Sequence, residues 1–168
     1  MTFLAALLIS MFTTIVLIPL FTGLAIKIKA MDIPNERKVH QVPIPKAGGI
    51  SMCLGMMFPI FIWCPMNNMV QAILIGAWVV VVFVLIDDFI DLDYKIKFLG
   101  QLIAALIVVL YGGVKISHLG GLVPTDNALP DVLTIPLSLF VIIGVTNAIN
   151  LSDGLDGLAG GICLLSFL

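Results

Sequence analysis

Five runs of predominantly apolar residues mark the chain, at about 3–26, 50–63, 70–86, 98–111 and 132–149. A helix needs about 20 mostly apolar residues to cross a bilayer. The first run meets that length alone and is closed by Lys27 and Lys29. The second is short and Met-rich, and Pro59 is expected to kink it. The third stops abruptly at Asp87-Asp88, and the fourth reaches spanning length only with its flanks. The fifth delivers the chain into the polar stretch NAINLSDGLDGLAGG, after which LAGGICLLSFL reads as the beginning of a sixth span. There is no internal repeat, low-complexity tract or soluble domain. The expected fold is all-α: a polytopic integral membrane helical bundle of five transmembrane helices plus the start of a sixth, in one transmembrane domain over 1–168.

The connectors between these runs differ in kind. The first, KAMDIPNERKVHQVPIPKAGG, holds three prolines and half of the Lys and Arg residues. CPMNNM makes a short turn, DDFIDLDYKIK a charged loop, and GGVKISHLGGLVPTDNALPD a loop rich in glycine and proline. Of the eight Lys and Arg residues, all but Lys115 fall on one side of the expected spans. Basic loops mark the cytoplasmic face. The loops over 27–48, 87–97 and 150–157 are therefore expected in the cytoplasm, with Met1 and the 112–131 loop outside. The N-terminal run has no basic flank before it and is too long for a secretory signal, so it is expected to stay as a span.

Composition supports this picture. The chain is 61% hydrophobic and 11% charged, where a soluble domain carries about 25% charged residues. The bilayer is the solvent that accommodates so much apolar surface. A net charge of -2 excludes nucleic acid as a partner, because binding a phosphate backbone needs a basic surface. Cys53, Cys64 and Cys163 form neither a disulfide framework nor a zinc pattern and read as small apolar fillers.

Three cytoplasmic segments hold most of the polar side chains. In DDFIDLDYKIKFLGQ, Asp87 and Asp88 stand where an apolar helix meets water. If the helix continues, both share a face with Asp91. Clustered carboxylates repel unless a cation sits among them. With the lysines that follow, they supply what a phosphate site needs: oxygen ligands for Mg²⁺ and ammonium groups for anionic oxygens. The plainer reading is a charged helix end that stops transfer. In the polar stretch, Asn147, Asn150, Asp153 and Asp156 recur every three residues, which on a helix drifts slowly round one side, so the four can line a cleft. The interleaved glycines let backbone approach a ligand; the plainer reading is a tight polar turn. In ERKVHQVPIPKAGGI, Arg37, Lys38, His40 and Lys46 make a proline-stiffened basic loop. It fits an anionic lipid surface or, beside the acidic cluster, an anionic ligand. His118 reads as an incidental loop residue on the outer side.

Together these segments, RKVHQVPIPKAGG, DDFIDLDYKIKFLGQ and NAINLSDGLDGLAGG, resemble in order and spacing those of the polyprenyl-phosphate N-acetylhexosamine-1-phosphate transferases (glycosyltransferase family 4). The resemblance covers nearly the whole chain. It implies transfer of a sugar-1-phosphate from a UDP-N-acetylhexosamine to undecaprenyl phosphate in the inner (cytoplasmic) membrane, with release of UMP and dependence on Mg²⁺ or Mn²⁺. By that resemblance Asp87 and Asp88 are the aspartate pair of the active centre, with neither singled out as a base, and Asp153 joins them as catalytic. Asn150 and Asp153 lie beside the metal and the pyrophosphate, and Asp156 near the uracil. Asp91, Lys97 and Asn147, with Arg37, His40 and Lys46 of the first loop, are expected on the substrates. The form HQVPIPKAGG is similar to that of the UDP-GlcNAc branch, whose products start cell-envelope polysaccharides such as teichoic acid or lipopolysaccharide O-antigen.

The family carries later segments that this sequence lacks, among them an FMGD.GS-type motif with a further Asp and a His-containing loop. The resemblance therefore implies an N-terminal portion, truncated and inactive alone. Two alternatives stand beside the main reading. One is the UDP-muramyl-pentapeptide phosphotransferase of peptidoglycan synthesis; the other is a small polytopic binding or transport protein whose acids line an ion path. A homodimer is compatible with all three.

Overall fold

The computed structural model describes residues 2–32, 42–90, 92–120, 129–152 and 157–166. Among these the chain is a helical bundle: α1 (Thr2–Lys27), α2 (Gly48–Trp63), α3 (Asn68–Ile90), α4 (Tyr94–Leu106), α5 (Asp131–Ser152) and α6 (Leu158–Ser166). A π-helical turn, Ile107–Tyr111, continues α4. A two-residue antiparallel ribbon, β1 (Met31–Asp32) with β2 (Ile44–Pro45), is the sole sheet among the described residues. The all-α expectation holds, with α6 where the sixth span was expected to begin. Four of these helical segments are long and apolar enough to cross a membrane. The 16-residue α2 measures about 24 Å at 1.5 Å per residue, short of the ~30 Å hydrocarbon core.

Large apolar side chains cover the outside, as at Phe3, Phe12, Phe61 and Phe140, which is the arrangement lipid requires. Contact between helices instead uses small residues, since lipid tails are as apolar as leucine and only close approach favours association. α1 packs along α2 where Gly55 faces Thr14, and Thr14 donates to the Ser10 carbonyl at 2.8 Å. α3 packs on α4 and its π turn through Ala72, Gly76, Gly100, Ala104 and Val109. A Cβ placed on Gly100 would lie 2.5 Å from Phe83 Cγ. Buried hydroxyls are satisfied within their own helices, Ser51 on the Ala47 carbonyl and Ser138 on the Thr134 carbonyl.

Several helix ends differ from the sequence reading, for one reason. Hydropathy stops where charge begins, whereas a helix stops where its hydrogen bonds stop. α3 runs past Asp87 and Asp88 to Ile90. α4 begins at Tyr94, four residues before the apolar run, because Asp93 caps it by accepting the Lys95 N–H at 2.9 Å. α5 carries on through Asn150 to Ser152. The segment read as a charged loop over 87–97 is therefore helical at both ends. At the other end of α3, Asn67 Oδ1 accepts the Val70 N–H at 2.9 Å and fixes the start of the helix after the short turn.

α1 ends in a Schellman arrangement: the Ala30 N–H bonds to the Ala25 carbonyl at 2.9 Å and the Lys29 N–H to that of Ile26 at 3.2 Å. Lys29 takes the left-handed position, φ 58°, where glycine is usual. Ala25, Ala30 and Ala47 then cluster under Phe21, and the Lys46 N–H bonds to the Ala30 carbonyl at 3.0 Å. This small knot brings the chain from β2 into α2 and sets where Lys46 starts.

Gly100→Ala is expected to lower the thermal midpoint in detergent, at a cost of about 1–3 kcal/mol from overpacking against Phe83. Gly23→Ala, whose Cβ would meet nothing within 4 Å, should leave the midpoint near that of the parent. Equal midpoints for the two variants would mean that α3 and α4 are not in close contact at Gly100.

Candidate active site

Four chain ends meet at one end of the bundle: the segment entering α2, the last turn of α3, the first turn of α4 and the last turns of α5. Successive helical positions point about 100° apart, so Asp87 and Asp88 face different neighbours. Asp88 Oδ1 meets Lys46 Nζ at 3.0 Å. Asp87 Oδ1 meets Lys97 Nζ at 2.9 Å and also accepts the Leu92 N–H at 2.8 Å. The acids therefore tie α3 to both its neighbours, and each is neutralised by a lysine from a different segment. Both carboxylates are largely covered, with Asp88 19% and Asp87 26% exposed.

A cavity of 790 Å³ opens beside Asp87 between α3, α4 and α5. Val80, Phe83, Val84 and Phe98 form its apolar side. Asp87, Lys95, Lys97, Gln101, Asn147 and Asn150 supply the polar side. Asn147 is held firmly: its Nδ2 donates to Gln101 Oε1 at 2.6 Å and to the Ile143 carbonyl, one turn back, at 2.8 Å. Lys95 lies over the Tyr94 ring, 5.8 Å from its centre, within cation–π range. A site with cations on one wall and an apolar strip on another can hold an anion that carries a hydrocarbon tail.

Of the residues assigned from sequence, Asp87, Lys97, Asn147 and Asn150 come together around this cavity. Asp88 and Lys46 pair with each other on the α2 side of α3 and are not part of its lining. Arg37, His40, Asp91, Asp153 and Asp156 lie outside the described residues. A hard cation such as Mg²⁺ takes carboxylate and amide oxygens, and Asp87 and Asn150 offer these on one cavity. Among the described residues no group of three or more acidic, His or Cys side chains could hold a metal.

Residues 70–168, which span the acidic pair, the lysines and the asparagines, match the family description Glycosyl transferase family 4. The chain belongs to that family. The glycosyl transferase family 4 chain is 35% identical over 161 residues to a probable undecaprenyl-phosphate N-acetylglucosaminyl 1-phosphate transferase of Bacillus subtilis (strain 168), covering 95% of this chain and 45% of the relative. It is 35% identical over 155 residues to a decaprenyl-phosphate N-acetylglucosaminephosphotransferase of Mycobacterium leprae (strain TN), covering 85% and 38%. It is 32% identical over 168 residues to an undecaprenyl-phosphate alpha-N-acetylglucosaminyl 1-phosphate transferase of Escherichia coli (strain K12), covering 95% and 46%. The chain spans under half the length of these curated relatives. No solved structure matches it significantly. Its apolar helices and its family make it a multi-pass membrane protein.

The cavity also takes three polar side chains that sequence reasoning did not assign, Tyr94, Gln101 and Thr146, beside Lys95, one of the two lysines read there as suited to anionic oxygens. Gln101 stands four residues after Lys97, which on a helix places it on the same face one turn on; that spacing could have found it. Thr146 precedes Asn147 but back-bonds to the Ile142 carbonyl at 2.8 Å, and nothing in its sequence context marks it.

A double-mutant cycle on Lys46→Met and Asp88→Asn is expected to give a coupling of about 1 kcal/mol in unfolding free energy. Additive effects would mean that the 3.0 Å pair does not hold α2 to α3.

Proposed function

We propose that this chain carries the lipid-phosphate and nucleotide-sugar side of a transferase that moves GlcNAc-1-phosphate from UDP-GlcNAc to undecaprenyl phosphate. An oxygen of the lipid phosphate forms a bond to the sugar-bearing phosphorus. The pyrophosphate bond to the uridine half breaks, and UMP leaves with the electron pair. Such a step would begin the membrane-bound synthesis of a cell-envelope polysaccharide, with the site on the cytoplasmic side of the inner membrane, as the basic-residue bias suggests.

The observation that carries this reading is the setting of the Asp87–Lys97 pair. It stands at a helix end, on a cavity whose other walls are apolar on one side and amide-lined on the other. Both reactants are anions, and the nucleophile is already an oxyanion. Catalysis therefore needs charge neutralisation and alignment more than proton removal. Lys97 and Lys95 are placed to meet phosphate oxygens, Lys97 by exchanging Asp87 for the ligand. The apolar strip of Val80, Phe83 and Val84 suits the first isoprene units of the lipid. Asn147 and Asn150 face the incoming nucleotide-sugar, and Asn150 with Asp153 is proposed to hold Mg²⁺, which Mn²⁺ can replace. When bound, the metal neutralises charge on the phosphates. The names of the curated relatives, which specify N-acetylglucosaminyl phosphate transfer to polyprenyl phosphates, support the choice of sugar and acceptor. Acids at the end of α3, rather than at its middle, argue against an ion path through the bundle.

The test uses a chimera in which residues 1–168 replace the matching segment of the Bacillus subtilis relative. UMP release is measured in membranes with UDP-GlcNAc, undecaprenyl phosphate and Mg²⁺. Release is expected, and Asp87→Asn and Asp88→Asn should each lower it by about 100-fold. A chimera no better than empty membranes, or variants that keep full release, would overturn the proposal.

A further inference from the structure

The orientation of the two amides at the α4–α5 contact is fixed by logic rather than by choice. A backbone carbonyl can only accept, so the Asn147 atom 2.8 Å from the Ile143 oxygen must be the nitrogen. That same nitrogen lies 2.6 Å from a terminal atom of Gln101, which must therefore be Gln101 Oε1. Both N–H groups of Asn147 are then spent. Its Oδ1, and the Nε2 of Gln101, are left without a partner among the described residues, and both side chains line the cavity.

We propose that Gln101 is a positioning residue that locks Asn147, by accepting from its Nδ2, so that Asn147 offers an acceptor oxygen and not an N–H to whatever enters the cavity. The alternative role, a direct donor from Gln101 Nε2 to an anionic oxygen of the substrate, makes the opposite demand on the side chain. A positioning acceptor is replaceable by glutamate, which keeps an acceptor oxygen in either protonation state. It is not replaceable by lysine, which only donates. A donor to an anion is replaceable by lysine and is spoiled by glutamate. A glutamate introduced at this position would also stand one turn after Lys97, so its charge has a partner within reach. The activity readout rests on the transferase reading above; the structural readout below does not.

The experiment compares Gln101→Glu, Gln101→Leu and Gln101→Lys. Each is first measured for its thermal midpoint in detergent, to confirm that it folds. In the chimera, Gln101→Glu should keep the largest share of UMP release, with the leucine and lysine variants at least about tenfold below it. In the isolated chain labelled with [15N]asparagine, hydrogen exchange of the Asn147 side-chain amide should show both protons protected in the parent and in Gln101→Glu. One proton should lose its protection in Gln101→Leu. Lysine at or above glutamate in activity would overturn the proposal and make Gln101 a donor to the substrate. Unchanged protection of both protons in Gln101→Leu would overturn it independently. If the parent chimera releases no UMP, the transferase reading fails and the exchange data alone decide on Gln101.

Discussion

Hydrocarbon solvates neither a peptide group nor an ion. The first restriction makes every spanning segment a helix, because only there does each backbone N–H find a carbonyl within its own segment. The second keeps ionised side chains near the ends of those helices, where they reach water or one another. The arrangement of this chain follows from the two together. Its helices meet through glycine, alanine, serine and threonine, phenylalanines such as Phe3, Phe12 and Phe140 turn outward, and Asp87, Asp88, Lys46 and Lys97 gather where α3 ends and α4 begins. The candidate site lies at a helix end because that is where this fold can keep charged side chains.

Self-neutralisation is the second theme of that region. Asp87 and Asp88 are adjacent in sequence, yet each is paired with a lysine from a different segment. Two carboxylates that would otherwise repel thereby become a bracket across three helices. The same pairs leave neither Lys46 nor Lys97 bare. In the proposed reaction an incoming phosphate would compete with Asp87 for Lys97, a cation already in place, so part of the desolvation cost would have been met during folding.

The spans were legible in the sequence because their constraint is local: about 20 consecutive apolar residues can be counted without knowing what they touch. The three polar segments were legible for the same reason, since charge in so apolar a chain is conspicuous. The ends of helices were not. Asp93, Asn67 and Lys29 set boundaries through caps and a left-handed turn, and Lys29 stands where a glycine would have announced the stop. The pairing of Lys46 with Asp88 and of Asn147 with Gln101 was also hidden, because each joins residues far apart in the chain. Gln101 sat in full view within the quoted motif, but its role depends on which atom of Asn147 it meets. That motif and the NAINLSDGLDGLAGG stretch hold Asp87, Lys97, Asn147 and Asn150, which line one cavity.

The pairing of Lys46 with Asp88 bears on the order in which the protein is made. α1 and α2 pack more extensively on each other than α2 does on α3, and both precede α3 in the chain. A ribosome working from the N-terminus completes that hairpin before Asp88 has been translated. Lys46 must then wait, hydrated at the membrane surface, until α3 has been inserted nearly to its last turn. The ion pair is thus a late event in biogenesis, and it forms only if the second hairpin arrives beside the first at the right depth.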